Sequence, residues 1–183
     1  MNDLLMLALL LEGPKHGYAL KKRAGLIYGR EELHNNIVYP LLRRFVAEGW
    51  VKQRKTDGER GQTRLLYALT PAGRRTLEER IGAFGENEAK SPEAFRLRVG
   101  LFSILDKAKR EQILAAREKY LESEESHYKS MEGKFEFEAF SGEVVRWIAE
   151  EIQRERQWVE RLRRLNEREE KKGGSGRSDR RRR

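Results

Sequence analysis

The sequence has no cysteine. That excludes disulfide scaffolds, cysteine nucleophiles, zinc knuckles and iron–sulfur clusters together. It permits a reducing compartment without requiring one. Histidine is scarce: His16, His34 and His127 are scattered and show no metal-ligand spacing. No metal and no other cofactor is expected. Long apolar runs are missing too. The longest, Leu4 to Leu11, is far short of the ~20 residues that span a bilayer. Met1, Asn2 and Asp3 supply no basic lead into it, and no small-residue cleavage site follows, so it does not read as a secretion signal. There is no Gly-x-Ser-x-Gly elbow and no Gly-x-x-x-x-Gly-Lys phosphate loop; Gly58-Glu59-Arg60-Gly61 is too short and no helix follows it. These absences lead us to expect a soluble cytoplasmic protein, with no membrane partner and no enzymatic activity.

Charge, by contrast, is abundant. Of 183 residues 38% are charged, above the ~25% usual for soluble domains, which points to long solvated helices. Residues 1–84 hold 15 Lys+Arg against 9 Asp+Glu, a net +6. Residues 85–170 hold 17 against 20, a net −3, and residues 171–183 hold 7 against 1, again +6. A basic N-terminal lobe thus precedes a mildly acidic one, with a basic tail behind. Basic surface attracts nucleic acid through phosphate contacts and counterion release. An ordinary solvated surface is the plainer alternative.

Asp3 is placed to cap a first helix whose Leu4, Leu5, Leu7, Ala8, Leu10 and Leu11 make it apolar nearly all round, hence buried. Gly13-Pro14 ends it. A second helix is expected from about His16 to Ile27, with Tyr18, Leu20 and Ala24 inward and Lys21, Lys22 and Arg23 outward. A third fits roughly 34–48, because Val38, Leu41, Leu42 and Phe45 recur at three- and four-residue spacing. Gly49 is its stop signal. Pro40 inside it is a local conflict, since proline removes a backbone donor. The period then changes. Trp50–Lys55 and Arg64–Leu69 read as two strands, joined by the polar loop Thr56–Thr63 with its Asp57-Gly58 pair. Thr70-Pro71 opens another helix, with threonine as cap and proline at its first position. A boundary is expected near 85–91.

Ser91-Pro92 restarts helix. Asp106 caps a longer one reaching about Lys134, with apolar residues at 114, 121, 128, 131 and 135, interrupted by Arg117 and Glu124. A last helix spans about 142–170. Two amphipathic helices of this length cannot bury their stripes alone; they pack on each other, on another chain, or on both. Leu121, Tyr128, Val145, Ile148, Ile152, Val159 and Leu162 are the residues expected at a homodimer contact. Trp147 and Trp158 lie eleven residues apart and fall near one stripe. They read either as a flat aromatic site for a small-molecule effector at the dimer interface or simply as dimer core. Residues 171–183 have the composition of a disordered basic tail, either adding nonspecific DNA affinity or only solubilising the chain.

The fold expected is mainly α with a small β-hairpin. A winged helix-turn-helix domain occupies 1–85, a coiled-coil-like dimerisation domain 91–170, and the tail 171–183. In a winged helix the third helix enters the major groove and the hairpin loop touches a neighbouring groove or the backbone. Opposite the apolar face of the third helix stand Asn35, Asn36, Tyr39 and Arg43, with Arg44 beside them. Asparagine pairs bidentately with adenine and arginine with guanine, while Tyr39 can donate to a phosphate or pack on a sugar. Lys55, Arg60, Gln62 and Arg64 of the wing suit phosphates, which position the protein more than they specify sequence. Each of these residues is also an ordinary surface residue. Their coincidence with a basic lobe and this element order favours a reader of double-stranded DNA. A different class stays open: an adaptor whose charged helices bind a partner and whose winged lobe never touches DNA.

Leu7-Ala8-Leu9-Leu10 followed by Gly13-Pro14-Lys15-His16-Gly17-Tyr18-Ala19-Leu20 resembles the opening of the PadR family of bacterial transcriptional regulators. Val38-Tyr39-Pro40-Leu41-Leu42-Arg43-Arg44-Phe45 with Glu48-Gly49-Trp50-Val51 resembles that family's recognition-helix segment, and its tyrosine–proline pair accounts for Pro40. Tyr67-Ala68-Leu69-Thr70-Pro71-Ala72-Gly73-Arg74-Arg75 resembles the second wing strand and the helix after it. Ile37 departs from the family pattern, which often has a small or hydroxyl residue there. The C-terminal half looks like the longer-tailed, virulence-activator-like branch. The resemblance implies a homodimer held by the C-terminal helices that binds a roughly palindromic operator, usually as a repressor. Two such lobes would sit about one helical turn (~34 Å) apart on DNA, and an effector that shifts that spacing would change affinity.

Overall fold

The computed structural model describes residues 2–28, 34–57, 63–131 and 138–175. They form two compact units, Met1–Ala83 and Phe84–Arg183. In the first, α1 (Asn2–Leu9) runs on through a 3-10 turn (Leu10–Glu12). Then come a short strand β1 (Lys15–His16), α2 (Gly17–Tyr28), α3 (Asn35–Ala47), β2 (Val51–Asp57), β3 (Thr63–Leu69) and α4 (Pro71–Gly82). This is a winged helix, a mostly helical fold with one small antiparallel sheet in the order β1-β3-β2. The hairpin expected from sequence is therefore three-stranded. Lys15 pairs with Tyr67 and His16 with Leu66, so His16 is the end of a strand and α2 begins at Gly17.

The burial of α1 follows its composition. Leu4 through Leu10 are all buried, with Met6 and Leu7 at 0% exposure. Asp3, expected as the cap, lies in the first turn of α1, where its carboxylate accepts from the Leu4 N–H at 3.0 Å and also binds Arg80 at 2.8 Å and Arg44 at 3.5 Å. Leu20, Ala24, Val38, Leu42, Phe45, Leu77 and Ile81 complete the core. Tyr18, expected inward, is 63% exposed, because two residues before the buried Leu20 it falls on the opposite side of α2.

The end of α3 is fixed by local chemistry. Gly49 takes φ +71°, the left-handed conformation that glycine adopts without steric cost. Its N–H donates to the Val46 carbonyl at 3.1 Å, and that of Trp50 to Phe45 at 2.9 Å. This double closure satisfies carbonyls that the helix end would otherwise leave bare. The Trp50 ring lies 5.8 Å from the Phe45 ring across it. Pro40 is accommodated and α3 stays continuous. Thr70 caps α4 as expected, accepting from the Gly73 N–H at 3.0 Å. Its hydroxyl also donates to the Gly49 carbonyl at 2.7 Å, which ties the helix start to the end of α3.

The second unit comprises α5 (Glu86–Ala89), α6 (Pro92–Val99), a 3-10 turn (Phe102–Ile104), α7 (Lys107–Met131) and α8 (Ala139–Ser175). Ser91 and Asp106 cap as expected, accepting from Ala94 at 3.1 Å and Lys109 at 2.8 Å. The stretch expected to be a polar boundary contains a helical turn whose Ala89 is buried. The last helix also runs beyond the expected 142–170, and only 176–183 of the tail lies outside the described residues.

Helices α7 and α8 pair antiparallel, as the ion pairs Arg163–Glu111 and Arg117–Glu155 show by running in opposite directions along the two segments. Arg117, which reads in sequence as an interruption of the apolar stripe, is 1% exposed. Its guanidinium donates to both carboxylate oxygens of Glu155, at 2.9 and 2.6 Å, and to the Ala89 carbonyl. Its carbon lies 5.1 Å from the Tyr120 ring and 5.7 Å from that of Phe95. A buried charge persists only when paired and hydrogen-bonded, and Arg117 is both.

Candidate nucleic-acid interface

The α3 pattern divides its residues by side. Val38, Leu42 and Phe45 have no exposure and Leu41 is half-buried. Asn35, Asn36, Tyr39, Arg43 and Arg44 are exposed. Residues 36, 39 and 43, spaced three and four apart, share one face. Arg44 points elsewhere in its chemistry: it pairs with Asp3 and lies 5.5 Å from the Phe45 ring centre. Its side chain stays about half exposed, while Arg43 lines the cleft toward the wing.

The wing strands carry the second side of the site. In register, Gln53 opposes Tyr67 and Lys55 opposes Leu65, and directly opposed residues project from one face of the sheet. Lys55 and Arg64 are exposed on their strands. The Thr56 hydroxyl donates to the Arg64 carbonyl at 3.1 Å and holds the hairpin closed near its tip. Arg60 and Gln62 lie outside the described residues.

Between α3 and the wing opens a cleft of about 530 Å³. Tyr39 and Arg43 line it from α3, and Gln53, Arg64 and Tyr67 from the sheet. His16, Gly17 and Tyr18 close its third side. No described carboxylate lines it, so its charged groups are the guanidiniums of Arg43 and Arg64. The His16 ring makes a 3.0 Å hydrogen bond to the Leu65 carbonyl through Nδ1, which then carries the proton and donates. Burial pushes the Tyr67 phenol above its ordinary value; nearby Tyr39 adds to that and Arg43 opposes it. An open, basic, aromatic-walled cleft beside an exposed asparagine–arginine helix face suits a polyanion bearing flat bases. Sequence reasoning selected Tyr39, Arg43 and Arg64 of this wall. It missed His16 and Tyr18, because the β1–β3 pairing that folds them in is a two-residue strand with no alternation to detect, and it missed Gln53, which faces the cleft from β2 in register with Tyr67.

In the second unit the expected dimer residues divide. Leu121, Ile152 and Val159 are buried within one chain, in the α7–α8 seam, and do not form a free face. Tyr128, Val145, Ile148 and Leu162 are half-buried. What α8 leaves open is Phe140 at 83% exposure, Val144 at 57%, Trp147 at 53% and Leu165 at 53%. Trp147 and Trp158 share a helical face but not an environment. Trp158 stands edge-on to Phe95 at 5.4 Å and lines a cavity of about 550 Å³ with Arg117, Tyr120, Ile148 and Ile152. Trp147 lies outside that cavity.

Among the described residues no group of three or more histidines and carboxylates could hold a metal, and no helix is long and apolar enough to cross a membrane. A winged helix with a basic cleft along its third helix defines the class: a regulator built on a nucleic-acid-reading scaffold. Residues 6–79 match the transcriptional regulator PadR-like family, so the N-terminal unit carries a PadR-like domain.

Among solved structures, the chain is similar to the Thermoplasma acidophilum protein TA0346 at 32% identity, covering 42% of this chain and 72% of that one, with a TM-score of 0.39. A PadR family transcriptional regulator from Eggerthella lenta is 33% identical over 42% of this chain and 61% of its own, with a TM-score of 0.35. Bacillus subtilis PadR, solved in complex with operator DNA, is 19% identical over 90% of this chain and 98% of its own, with a TM-score of 0.44. No curated protein matches the chain.

Proposed function

We propose that this chain is a sequence-specific DNA-binding regulator. The first unit, with the expected bounds 1–85, reads the operator, and the helical unit, 91–170, makes the homodimer. The observation that carries this reading is the cleft itself: Tyr39 and Arg43 of α3 converge with Arg64 of the wing on one open, carboxylate-free surface. Asn36 and Arg43 read base edges, Asn35 and Tyr39 support them, and Lys55 and Arg64 with Arg60 and Gln62 hold phosphates. The exposed face of α8 through Phe140, Val144 and Trp147 supports pairing of two copies, since an apolar stripe of this kind is otherwise left in water. A two-fold dimer reads a palindromic operator, and occupying a promoter in this way represses it. Such a protein acts in the cytoplasm, where bacterial DNA lies. A small-molecule effector entering the cavity beside Trp158 would act on the packing of α7 and α8.

The test begins with selection of bound sequences from a random duplex library, which defines the operator. Gel-shift titration then compares wild type with Arg43→Ala and Arg64→Ala. Loss of a phosphate contact at Arg64 weakens all sequences alike and lowers the salt slope by about one, whereas loss at Arg43 also relaxes sequence preference. Flat, negligible binding by the wild type at low salt would sink this reading in favour of the adaptor.

A further inference from the structure

Gly17 has no backbone reason to be glycine. It is the first residue of α2, its φ lies outside the left-handed region, and any residue can occupy a first helical position. Its surroundings supply the reason. A Cβ built on Gly17 would lie 2.9 Å from Cε1 of Tyr39, 3.4 Å from Cζ and 3.5 Å from the hydroxyl. The tyrosine ring rests on the bare Cα. Gly17 cannot retreat, because His16 before it is held to β3 by strand pairing with Leu66 and by its ring's hydrogen bond to the Leu65 carbonyl. On its sheet side the ring shares the cleft wall with Arg43 and Tyr67.

We propose that Gly17 is a positioning residue for DNA recognition: it leaves the space that sets the Tyr39 ring against the β1–α2 junction, with its hydroxyl held at the cleft. This rests on the DNA-reading function proposed above. A side chain at 17 meets the far end of a ring that can swing, not a backbone atom, so substitution moves Tyr39 and leaves the fold standing. A ring turned out of this seat loses its fixed hydroxyl and must be re-ordered when DNA binds, which weakens affinity.

The experiment measures full-chain binding to a fluorescein-labelled duplex, recovered by selection, by anisotropy, for wild type, Gly17→Ala, Tyr39→Ala and the double variant. Gly17→Ala is expected to keep the wild-type melting temperature and to lose about five- to tenfold in affinity, the scale of one hydrogen bond and its ring contact. In the Tyr39→Ala background the same change is expected to cost nothing, because the ring it acts through is gone. Were Gly17→Ala to destabilise the fold, Tyr39→Ala should restore the melting temperature, since it removes the clash. Equal affinity of wild type and Gly17→Ala overturns the proposal and leaves the DNA reading intact, as does an undiminished cost in the Tyr39→Ala background. A wild type that binds no duplex overturns both.

Discussion

A Cβ on Gly73 would sit 2.0 Å from the Trp50 carbonyl oxygen and 2.8 Å from its carbon. Both belong to the backbone at the junction of α3 and β2, where the same carbonyl accepts from the Thr70 N–H at 2.9 Å. Nothing there can swing aside. Gly73→Ala is expected to cost at least the ~1–3 kcal/mol of an overpacked core, read as a fall in the urea midpoint at unchanged slope. Gly17 presents the opposite case, since its neighbour is a mobile ring. The identity of a residue is thus legible in sequence while its reason often is not. Arg43 and Arg44 are adjacent and chemically identical, yet one faces the cleft and the other is tied to Asp3, a partner 41 positions away by sequence number. Tyr18 stands two residues before the buried Leu20, so the helical period turns it to solvent although it is aromatic.

Helix signals at the scale of elements were clear where caps are local. Thr70-Pro71, Ser91-Pro92 and Asp106 each act within three residues, so their bonds follow from spacing alone. The α7–α8 seam was less legible, since a buried ion pair looks in sequence like two exposed charges. Removing one partner of such a pair strands the other. Glu155→Leu is expected to destabilise the second unit by about 3–5 kcal/mol, and adding Arg117→Met should recover most of that loss, as thermal denaturation would show. At the rim of the same seam Glu125 holds Lys129 at 2.7 Å and bonds Arg156 and Gln153. Its carboxyl lies below the ordinary glutamate value, chiefly through the Lys129 hydrogen bond, with Arg156 assisting. A depressed folded-state pKa contributes stability above the unfolded value that is lost as pH falls through the folded one. The seam should therefore weaken on acidification below the ordinary glutamate range. A Glu125→Gln variant should show a shallower acid dependence when the melting temperature is followed against pH.

For the whole molecule, charge and apolar surface make separate contributions. The lobe of residues 1–84 carries +6 while the helical stretch to 170 carries −3, so phosphate attraction belongs to the first and leaves the second free for pairing. Phe140→Glu with Trp147→Glu is expected to halve the sedimenting mass while helix content by circular dichroism stays the same, because both side chains already face solvent in the single chain. Affinity for a palindromic duplex should fall much further than affinity for one half-site, since the second lobe's binding is no longer intramolecular. An unchanged mass would remove this face from the dimer proposal.

The order of elements, the caps, the buried faces of α1 and α3 and the basic balance of the first lobe are all written in the sequence, because each depends on neighbours a few residues apart. The tertiary fold alone decided which charges meet and which aromatics stay wet. It folded His16 and Tyr18 into the cleft through a two-residue strand, and set Arg117 against Glu155, 38 residues on. Those outcomes depend on contacts between segments distant in the chain, and side-chain periodicity carries no record of such partners.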